Sequence, residues 1–273
     1  LAMINPRPYR HTRLAGGVDM FVTSEYVPCY AEGGDHFFVK NFTKWYPGVQ
    51  KSVISLKDQS GHEVSCILRS IVTDLIHNAL LVNKTDTAVE HVVTRLNEEI
   101  CNLSFFGEDN FFTAINAEIH HQDMKMRFTS AGHPPFLLIR GREVISLPGV
   151  EGDGGNLPIG FSKEIAFDAG EIALETGDKL IFYTDGLADL PRSYGKPVLR
   201  TDEIVAIVSS IVKTDPRLPV SIIMKMLFNA AKGSGTDTST ASRDGRDDIT
   251  LLGLELEDST GSIEDVVCPG DID

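Results

Sequence analysis

Residues 49–81, VQKSVISLKDQSGHEVSCILRSIVTDLIHNALL, change their periodicity in the middle. The first part, VQKSVISLK at 49–57, alternates β-branched and polar residues and ends at the turn-like Asp58-Gln59-Ser60-Gly61. That pattern predicts a strand delivering an acidic residue into a loop. From 63 to 81 the apolar residues Val64, Ile67, Leu68, Ile71, Val72, Leu75 and Ala79 fall at helical spacing. They predict an amphipathic helix with this stripe as its core-facing side. One strand followed directly by one helix starts the fold.

Working outward, Thr87 and Glu90 have the spacing of a capping box, and Val89, Val92, Val93, Leu96, Ile100 and Leu103 give a second apolar helical stripe. Residues 110–182 return to strand patterns: FFTAINAEI, the turn His120-His121-Gln122-Asp123, then MKMRFTS, PFLLIR, REVISL, IAFDAGEIAL and DKLIFYT. Helices are expected near 202–213 and 218–231, and ITLLGLEL at 249–256 closes the chain as a strand. The run 233–246, GSGTDTSTASRDGR, is too polar to pack and reads as a loop. No internal repeat is visible. Two blocks of strands with helices between them indicate an α+β layered architecture, since a doubly wound sheet would alternate strand and helix throughout.

The chain has 273 residues, 42% of them apolar, which is enough for one large core. Residues 1–24 show no steady periodicity and read as a lead-in, with the domain over 25–256 and a polar tail over 257–273. A net charge of −14 argues against a nucleic-acid footprint, which needs clustered Lys and Arg. No stretch of about 18 uninterrupted apolar residues is present, so no membrane insertion is expected. Cys29, Cys66, Cys101 and Cys268 lack CxxC spacing, which fits a reducing cytoplasm better than a zinc site or a disulfide framework.

Four aspartates share a local signature: Asp35 in EGGDHFF, Asp58 in SLKDQSGH, Asp185 in IFYTDGL and Asp247 in GRDDITLLGL. Each stands at a strand edge or beside glycine. Any one alone is most simply a turn former or helix cap. Together they repel one another and raise one another's pKa, a situation that hard cations relieve. Oxygen-only ligands suit magnesium or manganese better than zinc.

The segments GGD at 33–35, DQSGH at 58–62, SAGHPPFLL at 130–138, LPIGF at 157–161, GDKLIFYTDG at 177–186 and DDITLL at 247–252 resemble the ordered motifs of the metal-dependent PPM serine/threonine phosphatases. They are most similar to the bacterial branch typified by stage II sporulation protein E. The resemblance implies a four-layer αββα sandwich, two antiparallel sheets flanked by helices, with two divalent cations, Mn2+ or Mg2+, at one end. It implies that Asp58 bridges both cations and that the backbone of Gln59 helps to ligate one. Asp185 and Asp247 would complete the set, with Asp35 ligating or holding a water of the site. Asp35, Asp58 and Asp185 are the residues expected to carry catalysis. Two such cations lower the pKa of a shared water and neutralise phosphate oxygens. The implied substrate is a phosphorylated protein, such as an anti-sigma-factor antagonist, and a homodimer is compatible with the pattern. Departures are Glu63, Gln59 and His36-Phe37-Phe38 after GGD. They keep in view a phosphatase-like binding module without turnover. A hydrolase of small phosphoesters lacks a supporting phosphate-cradling motif.

Other features are read as structural. His133 in AGHPP packs or hydrogen-bonds, His120-His121 is a solvated turn, and Trp45 belongs to the core. His62 lies near enough to the aspartates to contact the site, whereas His62-Glu63 does not continue to HExxH because position 66 is Cys. GDGGN at 152–156 lacks the Lys-Ser/Thr of a P-loop.

Overall fold

The computed structural model describes residues 9–28, 33–44, 46, 48–59, 64–83, 85, 87–103, 111–148, 157–188, 190, 199–232 and 247–259. Trp45, His62, Glu63, the GDGGN segment and the run 233–246 lie outside them.

The strand at the centre of the sequence reading is β4, Lys51–Gln59. It lies between β3 (His36–Asn41) and β5 (Phe112–His120) in a sheet completed by β6 (Lys125–Ala131) and β9 (Gly170–Ala173), in the order β3-β4-β5-β6-β9. A second sheet has the order β1-β2-β11-β10-β7-β8. Its members are Tyr9–Arg13, Val18–Val27, Ile249–Asp258, Lys179–Tyr183, Phe136–Arg140 and Glu143–Leu147. Every pairing between these strands is antiparallel. The inner faces meet in one apolar core that includes Met20, Phe37, Leu56, Ile115, Phe136, Phe182 and Leu252.

Helices cover both outer faces. α1 (Val64–Asn83) and α2 (Val89–Cys101) lie on the β4 sheet, and α3 (Thr201–Thr214) and α4 (Val220–Lys232) on the β10 sheet. This is the α+β, four-layer αββα sandwich expected from the sequence. β4 is buried along its whole length because both faces are covered. Its even positions Ile54 and Leu56 enter the inter-sheet core, and Val53 enters the cluster beneath α1 and α2.

Several local expectations change. Residues 9–27, unpatterned in the sequence, form β1 and β2, and β2 pairs with β11 along its full length from Val18 to Val27. Polar residues such as Asp19, Thr23, Ser24 and Glu25 interrupt the apolar signal there. In IAFDAGEIAL only Gly170–Ala173 is a strand, and Phe167 instead turns into the α2 cluster. The Thr87/Glu90 capping box does not form: Ala88 is the N-cap, and Glu90 pairs with Arg127 of β6.

The largest reversal concerns α1. Much of its expected core stripe is on the solvent side, with Leu68, Ile71 and Leu75 exposed and only Val72 packed against the α2 cluster, whereas Cys66, Ser70, Thr73, His77 and Leu81 are buried. The sheet beneath is responsible. Lys57 and His36, fully buried on β4 and β3, both reach Asp74, so the polar side of α1 is the one that fits. By length and composition alone, Ser65–Asn83 is apolar enough to cross a membrane, and its polar contacts to the sheet are what set it in this fold. α2 behaves as predicted, with Val89, Val92, Val93, Leu96 and Ile100 all buried.

Candidate active site

Register brings the first two aspartates together. β3 and β4 pair His36 with Lys57, so the next step of the antiparallel ladder sets Asp35 opposite Asp58. Asp58 is not in a loop: it is the penultimate residue of β4, on the same face as Leu56, at the end of the sandwich interior. The other sheet supplies the rest. β10 ends at Tyr183, Thr184 follows, and Asp185 opens a short 3-10 turn over Asp185–Leu187. Asp247 and Asp248 immediately precede β11. The site therefore forms where strand ends of both sheets converge.

Burial grades the four acids. Asp35 and Asp58 are buried, and Asp185 and Asp247 are exposed, so the set runs from the interior to solvent. Burial is the main cause that pushes the Asp35 carboxyl well above the ordinary range; Asp248 and Asp247 add to it, and hydrogen bonds from Thr184 and Thr250 oppose it. The Thr184 and Thr250 hydroxyls donate to the same oxygen, Asp35 Oδ2, at 2.7 and 2.8 Å. Asp58 is likewise pushed up, first by burial, then by the charges of Asp35 and Asp185, a hydrogen bond shared with Asp185, and the charge of Asp247.

Backbone packing at this end leaves no room for side chains at two glycines. A Cβ on Gly186 would fall on the carbonyl oxygen of Asp248, and one on Gly33 would fall on the Tyr26 hydroxyl and the Asp248 carboxylate. Asp248 also accepts the Gly34 N–H, which ties the GGD segment to the start of β11. Burial, together with Asp248 and Asp35, raises the pKa of the Tyr26 hydroxyl.

Gln59 is placed differently from the aspartates. It is buried on the helix-facing side of β4, its carbonyl accepts the Cys66 thiol at 3.5 Å, and neither side-chain amide atom has a hydrogen-bond partner among the described residues. His133 is buried and its Nδ1 lies 2.9 Å from Thr113 Oγ1; burial pulls its pKa down to about 3. That is the structural role expected of it. His121 departs from the solvated reading: it is buried, with its two ring nitrogens 2.9 Å from Ser52 Oγ and 3.2 Å from Thr43 Oγ1.

Thr184, Thr250, Asp248 and Tyr26 are the participants that sequence reasoning missed. A signal was present for the threonines, since each lies within a motif already singled out, in YTDG and DDIT. Nothing comparable marked Tyr26, which joins only through the unrecognised strand β2.

The donor set suits a hard divalent cation: oxygen atoms only, mutually repelling, two of them buried. As the side chains stand, Asp58 and Asp185 share a hydrogen bond, and no three His, Cys, Asp or Glu side chains among the described residues converge closely enough to hold a metal.

Comparison with known proteins agrees with this architecture. The RsbU and RsbW domains of a Mycobacterium tuberculosis protein superpose with a TM-score of 0.69 at 20% identity, covering 92% of this chain and 63% of that one. The PP2C phosphatase domain of SpoIIE from Bacillus subtilis, with a fragment of its regulatory domain, gives 0.65 at 18% identity over 93% of this chain and 64% of that one. The chain thus spans a little under two thirds of the length of each. RsbX, solved in complex with magnesium, gives 0.55 at 18% identity, covering 91% of this chain and all of RsbX. A search of curated protein sequences finds no match. The profile of the stage II sporulation protein E family matches residues 49–257, from the start of β4 to the end of β11. With that span matched and the sandwich shared with PP2C-type domains, the chain belongs to the stage II sporulation protein E (SpoIIE) family.

Proposed function

We propose that this chain is a divalent-metal-dependent phosphatase for phosphoserine or phosphothreonine on a small signalling protein, of the kind an anti-sigma-factor antagonist represents. The observation that carries this reading is the convergence of Asp58, buried at the end of β4 opposite Asp35, with Asp185 and Asp247 of the other sheet; burial first, then these neighbouring charges, pushes the Asp58 carboxyl up. A cation beside such a group offsets the burial and the neighbouring negative charges and favours its ionised form. Asp58, Asp185 and Asp247 would hold two cations, Mn2+ or Mg2+, which when bound supply an activated water and neutralise phosphate oxygens. Asp35, held at Oδ2 by the Thr184 and Thr250 hydroxyls, would use its remaining oxygen to ligate a cation or orient a water of the site. The exposed Asp185 and Asp247 leave the outer side of the site open to a phosphorylated side chain. Gln59, whose carbonyl is engaged by Cys66, contributes at most that one backbone oxygen.

The test is phosphate release from an aryl phosphate and from a phosphoserine protein, with Mn2+ and with Mg2+. Asp58→Asn and Asp185→Asn should each lower turnover by a factor of at least about 100. Absence of turnover with every divalent cation, while a phosphoprotein still binds, would replace this reading with a phosphatase-like binding module.

A further inference from the structure

Leu157, Phe161 and Phe111 keep large apolar side chains in solvent, at 46%, 56% and 37% exposure. The segment that carries the first two is nonetheless tightly held. Ile159, fully buried, exchanges both backbone hydrogen bonds with Phe112 at 3.0 Å. The Asn97 side chain on α2 accepts the Gly160 N–H at 2.8 Å and donates to the Ser162 carbonyl at 2.9 Å. Pro158 lies against Gly132, which has φ of 66° and leaves no space for a Cβ beside the proline ring. The Phe161 ring meets the edge of Phe111 with centroids 5.9 Å apart. A loop anchored this firmly could have turned Phe161 inward, yet it holds the ring out.

The location gives the exposure a use. Phe112 is the register partner of Gln59, and Thr113 is that of Asp58. Phe111 therefore lies two residues from the strand partner of Asp58. Ile159 sits two strand spacings, about 10 Å, from Gln59. Whatever rests on these side chains lies beside the mouth of the carboxylate site. A permanent occupant such as a second copy would obstruct that mouth, whereas a transient one that brings its own phosphate would not.

We infer that Phe111, Leu157 and Phe161 form a rigid apolar platform that docks the polypeptide flanking the phosphorylated residue of a protein substrate. The inference rests on the phosphatase reading and deepens it. A net charge of −14 gives a phosphorylated partner no general electrostatic attraction, so uncharged surface beside the site is a place where attraction can be added. Aromatic side chains already fixed before binding lose little conformational entropy when they are covered.

The experiment compares two phosphoserine peptides in the presence of Mn2+, identical except that leucine and phenylalanine flank the phosphoserine in one and glycine and serine in the other. The wild-type protein should favour the apolar-flanked peptide by about tenfold in kcat/KM, a ratio that one well-seated aromatic contact supports. Phe161→Ser should bring that ratio close to one, and Leu157→Ser should reduce it by about half or more; both positions are exposed, so folding is not at stake. Equal kcat/KM for the two peptides in the wild-type protein, or an unchanged ratio in both variants, overturns the platform and leaves the phosphatase reading intact. Turnover of an aryl phosphate but of neither peptide also overturns the platform, whereas no turnover of peptide, phosphoprotein or aryl phosphate with Mn2+ or Mg2+ overturns the phosphatase reading, and the platform with it.

Discussion

Lys57 of β4 and Asp74 of α1 form an ion pair in which the ammonium is fully buried. His36 Nε2 approaches the same carboxylate oxygen at 3.3 Å, and the Asp74 pKa lies far below the usual carboxylate range even though burial alone would raise it, because Lys57 and His36 more than offset that burial. Removing one member leaves an uncompensated buried charge. Asp74→Ala should therefore destabilise the protein by about 3–5 kcal/mol, and Lys57→Met combined with Asp74→Leu should recover most of the loss. Urea denaturation decides this; a double variant no more stable than Asp74→Ala alone would show that the pair does not act as a unit.

Thr184 and Thr250 predict a second effect. Each hydroxyl donates to Asp35 Oδ2, and Thr184 Oγ1 also accepts the Thr250 N–H at 2.9 Å. Thr184→Val keeps the shape and removes both contacts, at a cost of about 1–3 kcal/mol. If the hydroxyl also fixes Asp35 for catalysis, turnover should fall at saturating Mn2+ while the affinity for Mn2+ changes less. A loss seen only as weaker metal binding would contradict that positioning role.

Gly186 gives a steric prediction. An alanine there would place its Cβ on the Asp248 carbonyl, a backbone atom that cannot rotate aside. Gly186→Ala should cost about 1–3 kcal/mol and misplace the neighbouring Asp185. A thermal midpoint and turnover equal to those of the wild type would mean that the two strand ends separate freely.

Three buried histidines set the response to acid. Burial holds His77 well below its ordinary value, His121 at about 4 and His133 at about 3. The unfolded chain, titrating near 6.5, binds protons that the folded chain refuses, so their contribution is complete above about pH 6.5 and is lost as pH falls below it, down to about 4 for His121 and about 3 for His133. Allowing for partial solvent screening, His121 and His133 each account for about 1–3 kcal/mol. Asp35 and Asp58 act with the opposite sign when no metal is bound: their raised values favour the folded state as pH falls. His121→Gln isolates the histidine effect. The stability gap between that variant and the wild type should change between pH 7.5 and pH 5, and a constant gap would refute it.

The elements decided by a single face were legible in the sequence, and those decided by a neighbour were not. α2 packs its apolar stripe on the sheet as written because the surface beneath it, including Phe112, Ala114 and Ala131, is apolar. α1 has an equally clear stripe and turns most of it away, because Lys57 and His36 beneath it demand Asp74. β2 carries too many polar residues to be recognised alone and is fixed by β11 along ten paired positions. Within the site, Asp35 and Asp58 were findable as strand-edge acids. Their arrangement depends on the β3/β4 register and on threonines of the opposite sheet, and neither can be read from local spacing.

The two hydroxyl contacts to Asp35 cross from one sheet to the other, since Asp35 leads into β3 whereas Thr184 and Thr250 belong to the β10 and β11 ends. The candidate site is thus a seam between the two sheets. A slip of one layer against the other by a single residue would break both contacts at once, before any core side chain is exposed. The site is in this sense a gauge of how the layers are stacked, and its chemistry is available only when that stacking is correct.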